Sequence, residues 1–166
     1  SSQYWSKTSP SGISFTTTFT CAAWVKLESY TQSGIIARRN ADTEGLSLTL
    51  AADGRIQLAG LRISSNNKTI TSYQSIPLNK WVHVAACIDM TAGDTTAQKI
   101  WIDGVEVPRV YNLTGTATAL VQGTTALVVG AEKSAGTNPF DGEIAQASVH
   151  SACLTTDQIK AMASQT

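Results

Sequence analysis

Two histidines, three cysteines and twelve acidic side chains could carry acid–base, nucleophilic or metal chemistry in this sequence, and their spacing argues against most of it. His83 sits on a strand-like run and His150 near the end of another. No Gly-x-Ser-x-Gly elbow occurs, so a serine nucleophile with a histidine base has no local signature. Cys21, Cys87 and Cys153 are far apart and include no CxxC pair, which disfavours structural zinc. Each lies beside alanine (Cys-Ala-Ala, Ala-Ala-Cys, Ser-Ala-Cys), where cysteine behaves as a small hydrophobe, and the odd count leaves at least one thiol unpaired within the chain. We therefore expect three buried free thiols rather than a disulfide framework. The densest cluster of oxygen ligands is Asn40, Asp42 and Glu44, in one loop-like stretch. It offers hard donors but not EF-hand spacing, and a solvated loop is its plainer reading. Asp94 and Asp141 are isolated alternatives.

Aromatic residues suit a binding role better. A sugar's C–H face stacks on an aromatic ring, while short polar side chains read its hydroxyls. Tyr30, Tyr73 and Tyr111 lie in polar stretches that read as loops, where an aromatic serves as a rim contact.

The chain has 166 residues, of which 14% are charged, with twelve basic against twelve acidic side chains. That length suits one domain with one core, and the charge fraction falls well below the roughly 25% of an average soluble domain. Ser and Thr, about a quarter of the chain, fill the gap. A nucleic-acid binder needs a basic stripe, and Arg38-Arg39 is the only adjacent basic pair, so nucleic acid is disfavoured as a partner. No apolar run approaches the ~18 residues that span a bilayer, and the opening Ser-Ser-Gln-Tyr-Trp lacks the regions of a signal peptide. The expectation is one soluble domain over residues 1–166, excised from a longer polypeptide.

The elements that would position these groups are strands. Phe19, Cys21, Ala23, Val25 and Leu27 alternate with Thr20, Ala22, Trp24 and Lys26; Val82, Val84, Ala86 and Ile88 alternate with Trp81, His83, Ala85 and Cys87. Leu46, Leu48 and Leu50 precede Asp53-Gly54 and then Ile56 and Leu58; Ile100 and Ile102 precede Asp103-Gly104 and then Val105 and Val107. Both read as hairpins. If the strand carrying Ile56 and Leu58 continues to Leu61 and Ile63, Ala59-Gly60 should be a bulge that resets its face. Strands at Leu127–Val129 and Ile144–Val149 follow, and Ser6 to Ser14 reads as a loop behind an N-terminal edge strand. Only the C-terminus is helical: Thr155 can cap a turn or two with Gln158 as capping-box partner, over an apolar stripe of Leu154, Ile159 and Met162. The fold class is all-β, a two-sheet sandwich with a short C-terminal helix. Strand parity puts Trp101 opposite Ile100 and Ile102, and Trp24, Trp81 and His83 opposite the core, so several aromatics share the outer side of one sheet.

An ordered series of segments resembles a known family. Phe19-Thr20-Cys21-Ala22-Ala23-Trp24-Val25, Gly34-Ile35-Ile36-Ala37-Arg38, Gly45-Leu46-Ser47-Leu48, Trp81-Val82-His83-Val84-Ala85, Ile100-Trp101-Ile102-Asp103-Gly104, Val129-Gly130-Ala131 and Phe140-Asp141-Gly142-Glu143-Ile144 occur in that order. The closing Leu154-Thr155-Thr156-Asp157-Gln158-Ile159 is similar to the family's short last helix. Together they resemble the laminin G-like (concanavalin A-like) lectin and glucanase superfamily, in particular its bacterial and phage jelly-roll members. The resemblance implies that the sandwich is a two-sheet antiparallel jelly roll with one concave sheet, and it implies a binding role. Glucanases of this fold carry acidic residues at alternate strand positions, and this sequence has no Glu-x-Asp-x-Glu; Asp42 with Glu44 is the nearest approach, so no catalytic residue is assigned. The resemblance implies calcium, which relatives often bind through loop carboxylates and carbonyls; the densest oxygen-ligand cluster, Asn40, Asp42 and Glu44, is the candidate site. Loops of the family also fold over the concave sheet, so Trp24 and Trp81 read first as packed, while for Trp101 packing and binding stand level. The expected function is a non-catalytic, carbohydrate-binding adhesion domain whose ligand contacts are Trp101, Tyr30, Tyr73 and Tyr111. Its partner would be a glycan or glycosylated surface, met outside the cell, on a cell surface or on a virion, as an oligomer or within a larger assembly. The alternative is a structural or decoration domain of a phage virion or other surface assembly.

Overall fold

A computed structural model describes residues 4–8, 17–39, 45–62, 66–92, 97–114, 119–120, 125–133 and 136–165. The alternating runs become strands β1 (Trp5–Lys7), β2 (Thr18–Leu27), β3 (Ser33–Arg38), β4 (Gly45–Leu50), β5 (Arg55–Arg62) and β6 (Asn66–Ser75). Then come β7 (Trp81–Asp89), β8 (Lys99–Ile102), β9 (Val105–Glu106), β10 (Arg109–Thr114), β11 (Leu127–Val129), β12 (Gly142–His150) and one helix, α1 (Thr156–Ala163). They pair into a seven-stranded sheet, β1-β11-β3-β4-β5-β6-β10, and a five-stranded sheet, β12-β2-β7-β8-β9, all antiparallel. This is the two-sheet sandwich that the alternation predicts, in the jelly-roll form that the resemblance implies.

The core lies between the sheets. Phe19, Cys21, Ala23, Val25 and Leu27 of β2, with the inward residues of β7 and β8, face Leu46, Leu48, Leu50, Ile56, Leu58 and Ile70 of the larger sheet. Burying each large aliphatic side chain contributes about 1.5–3 kcal/mol. The Asp103-Gly104 turn has φ of 49° and 75°, the pair of left-handed residues that a tight hairpin turn requires. Asp103 also exchanges two hydrogen bonds with His83: its Oδ1 accepts from the His83 backbone N–H and its own N–H donates to the His83 carbonyl, both at 2.8 Å. The turn is thereby locked to β7.

Two strand expectations need correction. Pairing of β4 with β5 runs unbroken from Gly45↔Leu61 to Leu50↔Ile56, so Ala59-Gly60 is not a bulge. Gly60 keeps the inward phase, and a Cβ there would meet Met90 and Phe19; the register shift on β5 falls between Arg55 and Gln57, against β6. Tyr73 and Tyr111, expected on loops, lie within β6 and β10, where β-branched Thr69, Ile70 and Thr71 and Val110 favour extended backbone.

The helix begins as expected, with Thr155 as N-cap and Gln158 completing the capping box. It packs on the outer face of the five-stranded sheet, burying Ile159 with Ala22, Ala85, Cys87 and Trp101, while Leu154 and Met162 pack alongside. Its approach is fixed by Thr20, whose hydroxyl donates to the Ala152 carbonyl at 2.7 Å and accepts from Leu154 N–H at 3.0 Å. A disulfide fixes it again: Cys87 on β7 is bonded to Cys153, their Cα atoms 5.3 Å apart. The expectation of three free thiols is therefore wrong for two of them. Cys87 points away from the core, to the face that α1 and its leading segment cover, and that docking brings Cys153 within bonding reach. Cys21 is inward-facing, buried and free as expected, and burial pushes its thiol well above the ordinary cysteine range.

Candidate functional site

The outer face of the five-stranded sheet carries the aromatics that strand parity assigns to it, and α1 divides them. Under the helix, Trp101 is fully buried, and its Nε1–H donates to Thr156 Oγ1 at 3.3 Å. It therefore offers no ring face to a ligand, which corrects its expected role as a binding platform: the helix converts it into a second small core. Beyond the helix the same face stays open. Trp24 and His83 are cross-strand partners, as are Lys26 and Trp81, and the Trp24 and His83 rings meet edge to face, with centroids 5.5 Å apart and planes at 66°.

Trp24 and Trp81 line a cleft of about 240 Å³ together with Ala145, Gln146 and Gln165. Trp81 is 42% exposed, so its ring presents a face to solvent, and Trp24 is half-buried. Gln146 Nε2–H donates to the Gln165 carbonyl at 3.3 Å, which joins β12 to the residues after α1 across the cleft. Beside the cleft, Lys26 and Glu143 neutralise one another at 2.9 Å. Behind the cleft, Trp24 Nε1 and His83 Nδ1 are buried without a hydrogen-bond partner. Each such group costs about 1–3 kcal/mol.

Burial lowers the His83 pKa below its ordinary 6.5, against the smaller opposing pull of Asp103. Between that depressed value and 6.5 the unfolded chain binds more protons than the folded one. The stability from keeping the ring neutral is thus fully present above pH 6.5 and is lost as pH falls below it. We expect the melting temperature to drop between pH 7 and pH 5 and the slope to flatten in His83→Phe, measured by thermal denaturation. Superimposable pH profiles for the two proteins would contradict this.

The remaining expected contacts do not gather around this cleft. Tyr30 lies in the turn after β2, 41% exposed, with its hydroxyl donating to the Ile76 carbonyl at 2.9 Å. Tyr73 is 65% exposed on β6. Tyr111 is partly buried and packs against the main core, opposite Ile70. A second cleft, about 350 Å³, lies at the sandwich edge and is lined by Tyr4, Trp5, Phe140 and Ile144 among others; none of the four expected contacts lines either cleft. Asn40, Asp42, Glu44 and Asp94 lie outside the described residues. Among the described residues no cluster of His, Cys, Asp and Glu is arranged to hold a metal, and Asp141 instead accepts from the Ser29 hydroxyl.

Buried charges elsewhere are engaged in structure. Lys68 donates to the carbonyls of Asp89, Met90 and Ala92, and Arg39 pairs with Glu132 at 3.3 Å, both side chains under 10% exposed. Glu132 also accepts from Gln32 and Asn138. Such pairs are costly to break because the remaining partner is left charged and buried. Among the described residues no helix is long and apolar enough to cross a membrane.

The sequence matches the family model described as concanavalin A-like lectin/glucanases superfamily over residues 1–160. No characterised protein matches it in sequence. Among solved structures it is similar to domain 4 of AbnA, a GH43 extracellular arabinanase from Geobacillus stearothermophilus in complex with arabinotriose, with TM-score 0.68, 24% identity, and coverage of 92% of this chain and 69% of that one. It is also similar to a native heptameric SAP-like pentraxin from Limulus polyphemus, with TM-score 0.64, 20% identity, and coverage of 90% of this chain and 72% of that one. A protein from Bacteroides ovatus gives TM-score 0.68 at 19% identity, over 95% of this chain and 43% of that one. At these identities the likeness is one of fold.

Proposed function

Because the chain belongs to the concanavalin A-like lectin/glucanases superfamily, we propose that it is a non-catalytic carbohydrate-binding domain of lectin type and that the Trp24–Trp81 cleft is its ligand site. The observation that carries this reading is the pairing of two indoles with two glutamines around one concavity. Indole faces take the C–H faces of sugar rings, and amides both donate and accept to hydroxyls. Indoles, a methyl group and amides do not titrate near neutrality, so the cleft supplies no general acid or base, and we read the domain as holding its ligand rather than cleaving it. The arabinotriose complex of the arabinanase domain of the same fold supports this reading. An extracellular setting is supported by the Cys87–Cys153 disulfide, since disulfides persist in oxidising compartments. We keep calcium as a proposal, at Asn40, Asp42 and Glu44.

The test is a glycan array probed with the domain, with and without calcium, followed by calorimetric titration of the best ligand. Trp81→Ala should remove on the order of 1–3 kcal/mol of binding free energy, as truncated aromatic anchors do, with little change in melting temperature because the ring is exposed. An array without glycan binding in either condition would contradict the lectin reading and favour a structural role in a surface assembly. Calcium-dependent binding that Asp42→Asn abolishes would support the metal proposal.

A further inference from the structure

Gln146 sits where regular pairing would have hidden it. On the N-terminal half of β12, Ala145 pairs with Trp24, on the outer face; the next regular pair is Ser148 with Ala22, also outward. Gln146 and Ala147 therefore both oppose the single residue Ala23, which faces the core. Without this bulge a residue at 146 would share Ala23's inward phase and place an amide among aliphatic side chains. Instead Gln146 adopts φ +50°, an uncommon conformation for a non-glycine residue, and its side chain lines the indole cleft. Bulges re-aim side chains in this way beside binding sites, and local backbone strain of about 1–3 kcal/mol persists where the surroundings enforce it.

The rest of the wall restricts what that amide can meet. The lining residues carry no formal charge, and the flanking Lys26 is already paired with Glu143. An acidic sugar would thus lose hydration without gaining a free cation. A volume of about 240 Å³ falls below the ~300–1,000 Å³ typical of drug-sized ligands, which suits one sugar ring.

We propose that the cleft accepts a single neutral sugar residue and that Gln146, aimed by the β12 bulge, is the residue that selects it. This rests on the carbohydrate-binding reading and goes further in naming the ligand class and the specificity determinant. The probes are methyl glycosides of arabinose, galactose, glucose and mannose, with glucuronic acid and N-acetylneuraminic acid as charged comparators, titrated into the parent, Gln146→Gly and Trp81→Ala. A neutral glycoside should bind the parent at least about tenfold tighter than either acid. Gln146→Gly should weaken the preferred glycoside roughly three- to tenfold, the range of one lost hydrogen bond, and flatten the differences among the neutral sugars. Its melting temperature should hold or rise, because glycine adopts positive φ without strain. An acid as the best ligand, or an unchanged neutral-sugar ranking in Gln146→Gly while Trp81→Ala loses binding, would overturn this inference and leave the lectin reading standing. Absence of binding by every probe in the parent, with an array also blank, would overturn both.

Discussion

Replacing Trp101 by alanine is expected to remove about 3–5 kcal/mol of folding stability, as large-to-small changes in cores do, while leaving affinity at the cleft within roughly threefold of the parent. The indole is fully buried and hydrogen-bonded to Thr156 at the start of α1, whereas the cleft meets the chain beyond the helix's other end, at Gln165. Truncation therefore opens a cavity under the helix without touching Trp24 or Trp81. For a domain of this size each kcal/mol shifts the melting temperature by roughly 2–4 °C, so chemical denaturation and calorimetry resolve the effect easily. Trp81→Ala should behave in the opposite way. A stable Trp101→Ala variant that no longer binds would mean that Trp101, not the open pair, holds the ligand.

The second large effect belongs to the disulfide. Cys87 and Cys153 are separated by 66 residues, and closing a loop of that length stabilises the fold by about 4 kcal/mol in the chain-entropy account. The double variant Cys87→Ser/Cys153→Ser should unfold at correspondingly lower urea concentration. The part of the fold that loosens should be α1 and the segment before it, left to non-covalent contacts such as the Thr20 hydrogen bonds and the packing of Ile159, and Trp101 should become more accessible to a fluorescence quencher. The unreduced parent, once denatured, should present one thiol, Cys21, to a thiol reagent. Three reactive thiols, with stability of the double variant within about 1 kcal/mol of the parent, would contradict the bridge.

These two sites also mark how far the sequence alone could carry the argument. Alternation along β2, β7 and β8 determines which side chains face the core, and it places Trp24, Trp81, His83, Cys87 and Trp101 together on the outer face because a strand has period two. What alternation cannot express is where an eight-residue helix comes down on that face. That docking separates buried Trp101 from open Trp81, and it brings Cys153 to Cys87. One signal was present and passed over: Cys87 shares its phase with Trp81 and His83, so a buried Cys87 required a covering element. Gln146 and Gln165 gave no signal, since a bulge that depends on one residue's positive φ leaves no trace in hydrophobic periodicity. Tyr73 and Tyr111 were misplaced because their polar neighbours Thr, Ser and Asn suit a half-exposed strand as well as a loop.

The central claim, that the open indole pair is the binding site, is tested most directly by following the four tryptophan indole N–H signals in a nitrogen-15 NMR titration with the best-bound neutral glycan. Trp24 and Trp81 signals should move progressively with ligand, while Trp101, sealed beneath α1, stays in place. A titration in which the Trp5 signal moves and those of Trp24 and Trp81 do not would transfer the site to the edge cleft and contradict the account.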